Sequence, residues 1–384
     1  MIASSPIAGQ CSPRFAKVRE AFIANFADRG EVGASFAVVH NGDVVADLWG
    51  GYTDAEKTRP WAADTLTNVW STTKGVASIC FAMLVDRGLA SYDDPVAKHW
   101  PEFAANGKQG VTIAQLLSHQ AGLCGFDKPA TLEDFYDQQR AEAVLAAQAP
   151  FWTPGEQSGY HAVTIGILAN GLFRRVEGRT LANFLREELA APYDLDLYVG
   201  LPDSEANRAS EIIAPPTLSS TSAADANSTP SRAQEAALTN PVLDPLAANT
   251  RPWRLAPIPS VNGHATALPL AHLYSAMANG GELKGRKLLG SPAIAAATSL
   301  RIQGTDAVLG IEARWGAGFL LNSHAIYGDK PTAFGHSGWG GSFAFADPER
   351  KLGVSYVMNA MGHNLIGDPR GMALVTATLA SADA

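Results

Sequence analysis

A chain of 384 residues with 46% apolar and 17% charged side chains can bury a large core, which excludes a disordered or fibrous protein. A net charge of −8 with no basic cluster speaks against a nucleic-acid partner, and no apolar run approaches the length of a membrane span. Cys11, Cys80 and Cys124 are odd in number and far apart, which suits free thiols and offers no metal spacing.

The N-terminal stretch Met1 to Cys11 lacks the charged start and apolar block of a signal peptide, so the expected location is the cytoplasm. Ala34 to His40 and Asp43 to Trp49 read as two strands around Asn41-Gly42, a two-residue hairpin signal. Ser71 opens a helix that carries Val76, Ile79, Cys80, Met83 and Leu84 at helical spacing and stops at Gly88. Helical patterns follow over Ile113 to Leu117 with Thr112 as cap, Leu132 to Gln148, Ala162 to Val176 and Leu181 to Leu189. Thr217 to Gln234, rich in Ser, Thr, Ala and Asn, reads as a long surface loop, and Pro241 to Pro259 holds five prolines and suits neither helix nor central strand. Thr266 to Asn279 is helical up to Gly280-Gly281. Trp315 to Leu321, Gly341 to Ala346 and Leu352 to Asn359 read as strands, and a closing helix follows Pro369.

Strands at both ends of the chain point to one antiparallel sheet built from both termini. The expected class is α/β (α+β). Residues 1–88 and 255–384 would form the α/β domain, and 89–254 a mostly helical domain whose long loops roof the active site.

Ser71-Thr72-Thr73-Lys74 is the only Ser-x-x-Lys in the chain. Residues three apart on a helix share a face, so the Ser71 hydroxyl and the Lys74 amine can meet. A hydroxyl is a weak nucleophile until a neighbour takes its proton, and a buried lysine can lose its charge and become that base. One such tetrapeptide is expected by chance at this length, so its partners decide. Tyr160 follows Pro154-Gly155 and precedes an apolar helix, where its phenol could enter a cleft and shuttle protons, its pKa lowered by a neighbouring Lys⁺. Phe334-Gly335-His336-Ser337-Gly338-Trp339-Gly340-Gly341-Ser342 is dense in glycine at a strand entrance, which lets a backbone N–H approach a ligand. His119, in Leu116-Leu117-Ser118-His119-Gln120-Ala121-Gly122-Leu123, reads as a structural histidine in a turn.

Taken together, Ser71-Thr72-Thr73-Lys74, Tyr160 and His336-Ser337-Gly338 resemble the three motifs of the serine β-lactamase and penicillin-binding-protein superfamily, class C branch. The run from Leu116 to Leu123 and Asn262-Gly263-His264-Ala265 are similar to that branch too, and the order holds from about Phe22 to Met358. Two departures stand out. The family's Tyr-x-Asn is Tyr160-His161-Ala162 here, and its Lys-Thr-Gly is His336-Ser337-Gly338. Those lost groups help β-lactamases hold the lactam and its carboxylate. With Trp339-Gly340-Gly341 following, the pattern resembles the family VIII carboxylesterases, esterases on the β-lactamase fold.

The resemblance implies an acyl-enzyme on Ser71, with Lys74 as base and Tyr160 as relay to the leaving alcohol. The N–H groups of Ser71 and Trp339 would hold the oxyanion, with Ser342 as an alternative second donor. His336, Ser337, Gly338, Trp339, Trp152 and Asn262 would line the pocket. Phe151, Trp152, Trp253 and Trp339, with few charges nearby, favour short-chain or aromatic esters. The expected partner is a small-molecule ester. No metal or organic cofactor is implied. A weak β-lactamase, a small-amide hydrolase and an acyltransferase are the alternatives within the superfamily, and a catalytically inactive binding module is a further one.

Overall fold

The structure is a computed structural model, and it describes residues 6–215, 229–364 and 366–384. Nine strands form one antiparallel sheet. They are β1 (Ile7–Cys11), β2 (Gly33–His40), β3 (Asp43–Gly51), β4 (Ile302–Thr305), β5 (Glu312–Trp315), β6 (Leu320–Leu321), β7 (Phe334–Ser337), β8 (Phe343–Asp347) and β9 (Leu352–Met358). The order across the sheet is β1-β3-β2-β9-β8-β7-β6-β5-β4. The two chain ends meet at its centre, where β2 pairs with β9 from Ala34↔Met358 to His40↔Leu352. The β2–β3 hairpin turns at Asn41 and Gly42, whose φ angles of 54° and 87° are those of the expected two-residue turn.

Every residue of β9 is buried, as a central strand covered on both faces requires. Alternate residues show what covers each face. Gly353 meets α4 (Ala267–Ala278), where a Cβ would lie 2.2 Å from Ala271 O and 2.2 Å from Ser275 N. Tyr356 looks the other way, toward Gly371 on α5 (Pro369–Ala382), which packs beside α1 (Ala16–Asp28). Helix α2 (Thr72–Asp86), which follows Ser71, lies on the α4 face and is buried along almost its whole length. From there α2 also contacts α3 (Thr164–Glu177), the apolar helix that follows the Tyr160 turn. One hydrophobic core runs through the sheet and the central helices.

Several boundaries differ from the sequence reading. The stretch Trp315 to Leu321 is a tight hairpin between β5 and β6, because Gly318 (φ 87°) turns the chain. Leu132 to Gln148 is two helices, broken at Asp137, whose carboxylate caps the second through Arg140 N at 3.1 Å. Strand β1 and helix α1 carry no clear period, and the pairing of β1 with β3 and of α1 with α5 settles them. The Ser-rich loop expected over Thr217 to Gln234 lies outside the described residues as far as 228. Its last residues open a short helix, Arg232–Leu238, capped by Ser231. A helix of five residues, Arg251–Leu255, forms within the proline-rich stretch.

Gly353 is where helix backbone touches strand backbone. A methyl group there has no side chain to displace, so Gly353→Ala is expected to cost about 2–3 kcal/mol by overpacking. At about 2–4 °C per kcal/mol for domains of 150–250 residues, a clear fall in Tm by calorimetry checks this.

Candidate active site

Ser71 stands at the N-terminal cap of α2. A cap serine ordinarily accepts a hydrogen bond from the first turn, but the Ser71 hydroxyl makes none. Trp70 just before it has φ 48°, a left-handed conformation that costs a bulky residue strain. That strain is held from several sides. Thr73 Oγ1 donates to Trp70 O at 2.6 Å, and the Trp70 ring packs on Trp253 and Trp339 at 5.5 and 5.1 Å.

Lys74 is buried, and its Nζ lies 3.0 Å from Ser71 Oγ, 2.7 Å from Ala162 O and 3.1 Å from Ser260 O. The two carbonyls can only accept. A neutral amine has two N–H bonds for them and one lone pair left, which then faces the Ser71 hydroxyl. Burial pushes the Lys74 pKa well below the usual lysine value, which favours that neutral form. The carbonyl of Ala162 serves Lys74 at the position where the family pattern has a side-chain amide.

Tyr160 is buried with its ring 4.8 Å from Lys74 Nζ and its phenol within hydrogen-bonding reach of Ser71. Burial raises its pKa, opposite to the lowering expected from a charged lysine. The physical reason is that desolvation dominates. The phenol is therefore a neutral O–H that can donate, and no phenolate is stored there.

His336 is buried. Its Nδ1 lies 2.8 Å from Ser337 O, so that nitrogen carries the proton and Nε2 keeps a lone pair. Burial pushes its pKa down to about 3, so no positive charge stands where the family pattern has lysine. Ser71, Tyr160, His336, Ser337 and Trp339 line one cleft, completed by apolar residues such as Leu309, Ile311 and Trp315. Among the described residues, the only formally charged one along this cleft is Glu312.

Other expected pocket residues sit elsewhere. Gly338 packs edge-on against the start of α2, where a Cβ would lie 2.4 Å from Val69 O. Ser342 is a clasp, its Oγ donating to Val69 O at 2.8 Å and lying 3.1 Å from Thr72 Oγ1. It lines a neighbouring hollow, so of the two candidates for the second oxyanion donor Trp339 is the one beside Ser71. Asn262 is fully buried and spends its amide on backbone: it donates to Trp253 O at 2.9 Å and accepts from Ile258 N at 3.0 Å. Trp152 packs over Gly159 and His161 and faces a different cavity, and Trp253 is buried in the core behind Trp70. His119 accepts from His161 N at 3.1 Å and packs on Tyr160 and Trp315, in keeping with a structural role.

One residue absent from the sequence reading is Asp306. It is fully buried, and its Oδ1 accepts from Tyr160 N at 2.8 Å and from Val308 N and Leu309 N at 3.0 Å each. Its Oδ2 accepts from Ser158 Oγ at 2.9 Å. The carboxylate thus ties the Tyr160 turn to the loop between β4 and β5. The available signal was local: an aspartate bonding the N–H groups two and three residues on is an Asx-type turn, with Gly310 closing it. Removing the carboxylate strands several buried N–H groups, so Asp306→Ala is expected to cost about 3 kcal/mol or more. It should also lower turnover. Chemical denaturation beside ester assays checks both.

Among the described residues, no group of three or more His, Cys, Asp or Glu side chains is placed to hold a metal ion. The β-lactamase family profile matches residues 18–377. The esterase/β-lactamase LipL of Mycobacterium tuberculosis is 38% identical over 365 residues, covering 92% of this chain and 83% of the relative. The crystal structure of a family VIII carboxylesterase superposes with a TM-score of 0.93 at 45% identity, over 98% of this chain and 100% of that one. A penicillin-binding-protein homologue from Caulobacter crescentus superposes with a TM-score of 0.92 at 48% identity, over 98% of this chain and 100% of that one. A cap serine presented by a strained Trp70, a buried lysine beside it and a family match across nearly the whole chain lead to one assignment: this protein belongs to the β-lactamase family of serine-active-site proteins.

Proposed function

We propose that the protein is a serine carboxylesterase that cleaves short-chain or aromatic esters through an acyl-enzyme on Ser71. The observation that carries this reading is the Lys74 amine, 3.0 Å from Ser71 Oγ and buried, beside a cleft whose described lining residues include no lysine or arginine. The carboxylesterase and esterase relatives support it.

Each step follows from the placement of these groups. Ser71 Oγ attacks the ester carbonyl as its proton passes to the Lys74 lone pair. The carbonyl oxygen turns negative and is met by the N–H groups of Ser71 and Trp339, neither of which has a backbone acceptor among the described residues. The start of α2 favours the same charge. The proton on Lys74 reaches the leaving alkoxide through the Tyr160 O–H, which gives one proton and takes another. The alcohol departs, and water, deprotonated by the same pair, releases the acid. Lys74 and Tyr160 form one hydrogen-bonded unit with Ser71, so their titration belongs to the group.

Substrate choice follows from charge. A β-lactam carries a carboxylate that needs a positive partner. Here His336 is neutral, and among the described residues the only formally charged side chain along the cleft is Glu312. Uncharged esters meet apolar walls and lose nothing. We place the protein in the cytoplasm. In support, Cys11, Cys80 and Cys124 are free thiols, and no described helix is long and apolar enough to cross a membrane.

Turnover of p-nitrophenyl acetate, butyrate and octanoate beside nitrocefin tests the reading. Fast ester cleavage that drops by several orders of magnitude in Ser71→Ala is expected, with little nitrocefin cleavage. Losses in Lys74→Ala and Tyr160→Phe should not add. Efficient nitrocefin cleavage would point to a β-lactamase, and ester turnover surviving in Ser71→Ala would remove the nucleophile. The pH profile has a definite sign. Lys74 works as the neutral amine, so kcat/KM should hold at neutral pH and fall on the acid side, through an apparent pKa far below that of free lysine.

A further inference from the structure

Arg370, at the start of α5, lies outside every motif, yet it touches the turn that carries Trp339. Its guanidinium has five N–H donors, and each has an acceptor. Nε donates to Asp368 Oδ1 at 3.0 Å and Nη2 to Asp368 Oδ2 at 2.9 Å. Nη1 donates to Glu31 Oε1 at 3.1 Å and to Ala360 O at 2.8 Å. The last donor, on Nη2, meets Gly340 O at 3.3 Å. Gly340 O also accepts from Gly362 N at 2.7 Å.

The surroundings hold this arrangement rigid. Arg370, Glu31 and Asp368 are all buried, and the Tyr356 hydroxyl donates to the second oxygen of Glu31. Two glycines of the turn are pressed onto this cluster. A Cβ on Gly341 would lie 3.0 Å from Asp368 Oδ2, and one on Gly340 would lie 2.7 Å from Met361 Cβ. From the opposite side, Ser342 Oγ clasps the turn to Val69 O, next to the nucleophile helix. The Trp339–Gly340 segment is therefore gripped between α2 and a buried ionic cluster whose residues do not line the Ser71 cleft.

We propose that Arg370 is a positioning residue for the esterase reaction: through Gly340 O it sets the Gly338–Gly341 turn so that the Trp339 N–H meets the oxyanion. The inference rests on reading Trp339 as an oxyanion donor. Oxyanion contacts act in the transition state, so a loosened turn should lower kcat and leave KM alone. Loss of a whole donor costs about 10²–10³ in kcat, and a misplaced one should cost about 10–100-fold.

The test is Arg370→Lys, which keeps the charge beside Glu31 and Asp368 but lacks the planar fork that reaches Gly340. The expected result with p-nitrophenyl butyrate is a 10–100-fold loss of kcat, KM within about twofold, and an equal loss of affinity for a boronic acid that mimics the tetrahedral intermediate. Wild-type kcat with a lowered Tm, or a change in KM alone, would overturn the proposal and leave Arg370 a stability residue. If Arg370→Lys does not fold, the double variant Arg370→Gln with Glu31→Gln preserves the cluster's charge. The same kcat loss is expected from it, and wild-type kcat would overturn the proposal. Wild-type enzyme that hydrolyses the ester only with Ser71 intact is the reference. Its failure would overturn the functional reading as well, whereas equal turnover by wild type and Arg370→Lys would overturn only this inference.

Discussion

The site depends on one buried amine. Lys74 Nζ ties three distant parts of the chain together: Ser71 one turn back, Ala162 at the entry to α3, and Ser260 before α4. Two of these contacts are backbone carbonyls, which fix the direction of the lone pair without supplying a negative charge. A carboxylate in either place would hold Lys74 as an ammonium and leave nothing to accept the serine proton. Burial here favours the neutral form of the lysine, an arrangement that favours reactivity over stability. The surrounding devices serve the same geometry. Strained Trp70 presents Ser71, Asp306 anchors the Tyr160 turn, and the Ser342 clasp fixes the turn between β7 and β8 against the helix start.

The departures from the β-lactamase pattern have a common physical meaning. Replacing lysine by His336 removes a cation, because a histidine this deeply buried is neutral. Replacing asparagine by Ala162 removes a side-chain amide from the cleft while the backbone retains its hold on Lys74. The machinery that activates the serine is thus separable from the groups that recognise a charged lactam. Both changes leave the nucleophile helix untouched, and both suit an uncharged ester in an apolar cleft.

Much of this was legible in the residues. Ser71 and Lys74 share a helix, so their meeting follows from spacing alone, and the Asn41-Gly42 hairpin is a local signal of the same kind. Tyr160 and the His336 strand could be placed only through motif order, because 86 residues separate Lys74 from Tyr160 and far more separate Lys74 from His336. What stayed hidden is long-range. Asp306 meets Tyr160 across 146 residues and Arg370 meets Glu31 across 339, and neither leaves a pattern in the chain. The tryptophans misled for a related reason. Trp152 and Trp253 neighbour the motifs in sequence, but packing turns one toward another cavity and buries the other. Asn262 looked polar and near the site, yet its amide is consumed by turns. The direction of the Tyr160 shift was missed because it is set by the burial of the phenol itself, which the sequence does not show.

The most direct measurement is the protonation state of Lys74 itself. Lysine labelled at Cε and Nζ reports it by NMR, with Lys74→Met used to assign the signal. A neutral amine at pH 7 is the predicted result. An ammonium that persists to pH 9 would contradict the assignment of Lys74 as the base that activates Ser71.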